Sequence, residues 1–93
     1  EESMRVITKN IQKKLPNDLI QLIWRFYDQA YQETEIDDYQ FVKIENNGSK
    51  TTMKMWQEEP KAMKIKSIPH YEDCEVWIVN DGNVVTMLFP EDY

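Results

Sequence analysis

Between positions 19 and 30 apolar residues recur at helical spacing: Leu19, Leu22, Ile23, Phe26, Tyr27 and Ala30. That spacing draws one stripe along an α-helix. Ile20, Trp24, Tyr27 and Tyr31 form a second stripe beside it, and Asp18, Gln21, Arg25, Asp28 and Gln32 make the wet side. Pro16 opens the helix where a missing N–H does no harm, and Asn17 or Asp18 suits its positive end. The pattern carries the helix to about Glu33. The apolar face is wider than one sheet contact requires. A sheet plus a flanking loop would cover it, and so would a helix-to-helix dimer contact through Trp24 and Tyr31.

After Asp38 the period changes from helical to alternating. Asn47-Gly48 and Asp81-Gly82 are the dipeptides of tight β-hairpins. With Asn47-Gly48 as a two-residue loop, Val42 opposes Met53, Phe41 opposes Lys54 and Tyr39 opposes Trp56. With Asp81-Gly82 as the loop, Ile78 opposes Val85 and Trp77 opposes Thr86. Pro60 and Pro90 stop strands. Residues 4–11, rich in β-branched side chains, read as a first strand, and residues 62–69 as a further one. The expected fold is α+β in the order β-α-β-β-β-β-β. It is an antiparallel meander of five to six strands with one helix on one face. Residues 4–93 form a single domain, and residues 1–3 read as an added remnant ahead of a natural Met4.

Strand alternation then sorts side chains onto two faces. One collects Val42, Ile44, Met53, Met55, Met63, Ile65, Val76, Ile78, Val85 and Met87. This is the face the helix is expected to cover. The other collects Tyr39, Phe41, Lys43, Lys54, Trp56, Lys64, Lys66, Trp77 and Val79. No second helix is predicted to shield it. The sheet can curl over these aromatics, a symmetry mate can cover them, or a ligand can. Tyr39, Phe41, Trp56 and Trp77, with Lys54, Lys64 and Lys66, are therefore the candidate partner-binding residues, and Trp24 and Tyr31 are a second candidate patch. Aromatic anchors favour a protein partner or a second copy of the chain. Aromatics interleaved with lysines also fit single-stranded nucleic acid, by base stacking and phosphate contact.

Composition narrows these choices. At 93 residues and 41% hydrophobic content the chain supports one core. The net charge of −6 disfavours broad phosphate-driven binding. The acids gather at Glu33, Glu35, Asp37 and Asp38, at Glu58 and Glu59, at Glu72, Asp73 and Glu75, and at Glu91 and Asp92. These read as solvated connections. No apolar run reaches the roughly 20 residues of a membrane span, so no membrane partner is expected. Cys74, the single cysteine, forms no internal disulfide and fits a reducing, cytoplasmic setting. His70 and Cys74 in "HYEDC" match neither a zinc set nor a redox pair, and the acids around the thiol oppose its ionisation. "EIDD" and "EDCE" lack the ligand alternation and turn glycine of a calcium loop. The two glycines stand in hairpin turns and leave none for a phosphate-cradling loop. No catalytic, cofactor or metal residues are expected, and the chain reads as a non-catalytic binding protein.

"VITKNIQKKLPNDLIQLIWRFYD" resembles an opening of the form "ITRGVxxxIPxELQxxLWxxID", and "VWIVNDGNVVTMLFPEDY" resembles "xxVIDDGxxxTMLLxEEY". The shared residues include Leu15-Pro16, Leu22, Trp24, Asp81-Gly82, Thr86-Met87-Leu88 and Glu91-Asp92-Tyr93. Together they resemble the domain of unknown function nine-sixty family of small Gram-positive, best known staphylococcal, proteins. The resemblance spans Met4 to Tyr93. It implies a cytoplasmic protein of a Gram-positive bacterium, its mobile elements or phage, with no established activity and no catalytic residues to carry over. For a mobile-element protein, acidic loops add the expectation that it occludes the basic channel of a nucleic-acid enzyme. Lys9-Asn10 departs from the pattern's Arg-Gly, and Asn10 is then expected to supply a positive φ.

Overall fold

The computed structural model of the chain describes residues 4–32 and 34–93. The readings of residues 1–3 and of Glu33 lie outside the described residues. The elements are β1 (Met4–Ile7), α1 (Lys9–Lys14), α2 (Asn17–Gln29), β2 (Tyr39–Asn46), β3 (Thr51–Glu58), β4 (Lys61–Ile68), β5 (Cys74–Asn80) and β6 (Val84–Leu88), followed by a 3₁₀ turn, Pro90–Asp92. They build one six-stranded sheet in the order β1-β6-β5-β2-β3-β4. All neighbours are antiparallel except β1 and β6, which run parallel.

The expected meander is therefore corrected. β2, β3 and β4 do form one. The chain then crosses the ends of β3 and β2 through residues 69–73, and β5 pairs with β2 on its other side. The Asp73 carboxylate anchors the crossing by accepting from the Asn46 backbone N–H at 2.7 Å. The first strand is also shorter than expected. Thr8 stops β1 and caps α1, its Oγ1 accepting from the Ile11 N–H at 3.3 Å. Asn10 consequently sits inside a helix, and no described residue other than glycine has positive φ. Its amide instead donates to Asp92 Oδ1 at 2.7 Å. Ile11, read as a strand residue, is fully buried beneath α1.

α2 starts where expected, with Pro16 at its N-cap and Asp18 in its first turn. It ends at Gln29, four residues early. Tyr31 leaves the helical path and donates its hydroxyl to the Met55 carbonyl at 3.1 Å. Its side chain lies against the same core as Leu19, Ile20, Ile23, Trp24, Phe26, Tyr27 and Ala30 of α2. That core also holds Val42, Ile44, Met53, Met55, Val76, Ile78, Val85 and Met87 from the sheet. Burying each large side chain there contributes about 1.5–3 kcal/mol before entropy is counted.

Both hairpins pair two residues out of the expected register. Val42 faces Met55, and Phe41 faces Trp56. Ile78 faces Met87, and Trp77 faces Leu88. Four residues separate the innermost paired residues of each hairpin because an Asn/Asp side chain caps the turn. Asn47 Oδ1 accepts from the Ser49 and Lys50 N–H groups, and Asp81 Oδ1 from those of Asn83 and Val84. Among the described residues only Gly48 and Gly82 take positive φ, +96° and +98°, whereas a two-residue type I′ turn needs it twice. A two-residue shift preserves side-chain parity, so the faces of β2, β3, β5 and β6 are as expected.

β4 is the exception. A two-residue turn at Glu59-Pro60 sets Glu58 opposite Lys61, and so Trp56 opposite Met63 and Lys54 opposite Ile65. Met63 and Ile65 therefore join the aromatic face, and Lys64 and Lys66 stand on the helix face opposite Met55 and Met53. The helix does not cover this edge strand, so the lysines there remain exposed.

Between α2 and β2 the chain is tied down by a buried glutamine pair. Gln40 and Gln57 are almost fully buried. Gln57 Oε1 accepts from Gln40 Nε2 at 2.7 Å and from the Asp37 N–H at 2.9 Å. Its Nε2 donates to the carbonyls of Glu35 and Pro60, at 2.9 and 2.7 Å.

Candidate functional site

The face away from the helices is built around one rung that crosses five strands. Met63, Trp56, Phe41, Trp77 and Leu88 lie side by side on β4, β3, β2, β5 and β6. Phe41 is central. Its ring lies 5.6 Å from Trp56, tilted by 33°, and 5.4 Å from Trp77, edge-on at 88°. Both are favourable aromatic arrangements. A neighbouring rung holds Tyr39, Val79, Thr86 and Val6. On the opposite flank, Lys43 stands between Glu75 and Lys54.

The chain's last residue completes the cluster. The 3₁₀ turn brings Tyr93 to 5.3 Å from Trp77 and 6.0 Å from Tyr39, and the two tyrosine hydroxyls hydrogen-bond at 2.6 Å. That bond holds the Tyr39 phenol above its usual pKa. Asp92 secures the turn by accepting from the hydroxyl of Thr8, the amide of Asn10 and the backbone N–H of Phe89. The bond from Asn10 leads in holding its carboxyl below the usual range.

Mutual packing leaves Phe41, Trp56 and Trp77 half-buried, with Tyr39 exposed. Met63 is 53% exposed, Ile65 58% and Tyr93 69%, so large apolar side chains project from the rim. Trp77 Nε1 is buried without a hydrogen-bond partner among the described residues, a state that costs about 1–3 kcal/mol. Lys54 places its ammonium 4.9 Å above the Trp56 ring.

Of the sequence candidates, Tyr39, Phe41, Trp56, Trp77 and Lys54 come together here. Lys64 and Lys66 do not, because the Glu59-Pro60 turn reverses the faces of β4. Trp24 and Tyr31 form no second patch. Trp24 is only 9% exposed, packs edge-on against Tyr27 at 6.0 Å and lies 5.0 Å under the Arg5 guanidinium, which also pairs with Asp28. Tyr31 is spent on the Met55 carbonyl, and burial pushes its phenol up to about 12. The second candidate patch is therefore corrected: both side chains are taken up within the chain. Sequence reading missed Met63, Ile65, Leu88 and Tyr93. The length of the Glu59-Pro60 connection carried the signal for Met63 and Ile65, while for Tyr93 no local pattern exists.

His70 and Cys74 both line a cleft elsewhere, of about 500 Å³, whose walls include Lys14, Leu19, Asp73 and Phe89. Burial first, and the charge of Asp73 second, push the thiol up to about 11. It is therefore protonated throughout the neutral range, the opposite of an activated nucleophile. His70 Nδ1 lies 3.1 Å from the Asn46 amide nitrogen. Among the described residues no set of three or more His, Cys, Asp or Glu gathers to hold a metal, and no helix is long and apolar enough to cross a membrane.

The family model described as Staphylococcal protein of unknown function (DUF960) matches residues 4–92. The chain belongs to that family. A crystal structure of a protein of unknown function from Enterococcus faecalis has the same fold as this DUF960 chain, with a TM-score of 0.86. The two are 22% identical over 98% of this chain and 91% of the other. No curated protein shows significant similarity to the DUF960 chain.

Proposed function

We propose that this chain is a non-catalytic binding protein and that the uncovered aromatic face is where a protein partner docks. The observation that carries this reading is the rung of Trp56, Phe41 and Trp77, left uncovered while α1 and α2 both serve the opposite face. Tryptophan and tyrosine supply large contact area at small entropic cost, and they dominate the energetic centres of interfaces. Here the rings are already held by one another, so little ordering remains to be paid on docking. The raised thiol and the hydrogen-bonded histidine support a role without covalent chemistry. A single unbridged cysteine supports a cytoplasmic setting. The single-strand nucleic-acid alternative keeps only Lys43 and Lys54 of the four lysines first placed beside the aromatics.

Site-specific photo-crosslinking in the native host tests the reading. A photoreactive residue in place of Trp56 is expected to capture one recurrent protein adduct, and the same residue in place of Gln21, on the wet side of α2, none. Equal labelling from both positions, or none from position 56, defeats the proposal. So does tight, salt-sensitive binding of labelled oligonucleotides that Trp56→Ala abolishes.

A further inference from the structure

β4 is an edge strand. β3 pairs with it over all eight residues, and no described strand lies on its other side. A free edge of this length offers a row of unpaired backbone N–H and C=O groups. Its central side chains alternate between the two faces. Met63 and Ile65 project on the aromatic face, and Lys64 and Lys66 on the other.

A shallow depression adjoins the strand on each face. One, of about 380 Å³, is bounded by Lys54, Trp56, Lys61 and Met63. The other, of about 260 Å³, lies between the end of α2 and the strand, bounded by Ala30, Tyr31, Gln32, Thr34 and Lys64. The chain as a whole carries −6, yet this strand has three lysines and no acid. Neither Lys64 nor Lys66 forms an ion pair among the described residues.

We propose that the β4 edge accepts an extended segment of another protein in which apolar and acidic residues alternate. Such a segment would add a seventh strand by backbone hydrogen bonds. Its apolar side chains would fall beside Trp56, Met63 and Ile65, and its carboxylates beside Lys64 and Lys66. A second copy of β4 does not fit. In the two antiparallel registers that pair most of the strand with itself, Lys64 faces either Lys64 or Lys66 of the copy, and like charges directly opposite are destabilising. Repulsion by the remaining acids is screened beyond about 8 Å at physiological salt, so the nearby lysines decide. The edge shares Met63 and Ile65 with the docking face, but its occupancy is tested separately.

A labelled, end-capped peptide of alternating valine and glutamate is titrated into the full chain. Its valine–lysine counterpart and a version with the glutamates in one block serve as comparisons. The alternating acidic peptide is expected to bind best and to raise hydrogen-exchange protection along residues 61–68. The double variant Lys64→Glu, Lys66→Glu is expected to bind it about tenfold more weakly and to prefer the lysine peptide instead. Equal binding of acidic and lysine peptides, an unchanged affinity in the double variant, or no gain in protection along β4 overturns the inference. If crosslinks from position 56 persist in that event, the edge reading alone falls.

Discussion

Met55 and Trp56 are neighbours in sequence and opposites in the fold, so truncating each to alanine separates core from surface. Met55 is fully buried among the α2 and sheet side chains. Its loss removes transfer energy and leaves a cavity, a cost of about 2–5 kcal/mol. For a domain of this size that lowers Tm by roughly 10–30 °C. Trp56 has the larger side chain but less to lose. Its contact with Phe41 is worth about 0.5–1.5 kcal/mol, and the ammonium of Lys54 over its ring about 0.5–1 kcal/mol. These two contacts come to about 1–2.5 kcal/mol, and with the partial burial of the ring the expected cost stays below the figure of about 3–5 kcal/mol for a tryptophan in a sealed core. Urea unfolding followed by circular dichroism reads both as a shift in midpoint at constant slope. A Trp56→Ala variant that loses as much as Met55→Ala would make the aromatic face a second core and remove the basis for a docking surface.

Gln57→Leu should cost about 2–5 kcal/mol despite its hydrophobic gain. It strands the part-buried Glu35 and Pro60 carbonyls and the Asp37 N–H, each costing up to about 1–3 kcal/mol when unpaired; urea unfolding and faster exchange of the Asp37 amide would show it. Cys74 should react slowly with thiolate-selective reagents at neutral pH, its rate rising toward a midpoint near 11, not the ordinary 9.0. Because the folded value is the higher one, the unfolded chain ionises first, so stability should fall as pH climbs from 9.0 to about 11 and Cys74→Ser should remove that part of the fall.

Periodicity located α2 and five of the six strands because their stripes and alternations are local. It placed Phe41, Trp56 and Trp77 opposite Val42, Met55 and Ile78 in spite of wrong hairpin registers, since a shift of two conserves parity. It failed at β4, where apolar Met63 and Ile65 were sent inward by default. Parity there depends on the turn at Glu59-Pro60, a single connection whose length decides the whole strand. α1 was missed because Ile7 and Ile11, both apolar, fit a strand as well as a helix. What breaks that strand is Thr8, whose capping position is reinforced by Asp92 from the far end of the chain. Strand order was illegible for a similar reason. The partners of β1 and β5 are fixed by contacts across the sheet and not by neighbours in sequence.

The parallel pairing of Met4–Ile7 with the strand ending at Leu88 means that the first strand of the fold to leave a ribosome is docked by the last. On a ribosome, β2, β3 and β4 can zip together as soon as they emerge. The opening strand has no place in the sheet until β6 has emerged as well. Its exposed Met4 and Arg5, and the helix that follows, must wait in solvent through most of that time. A product lacking residues 84–93 would therefore be damaged at both ends of the fold, since removing the last strand also unmoors the first.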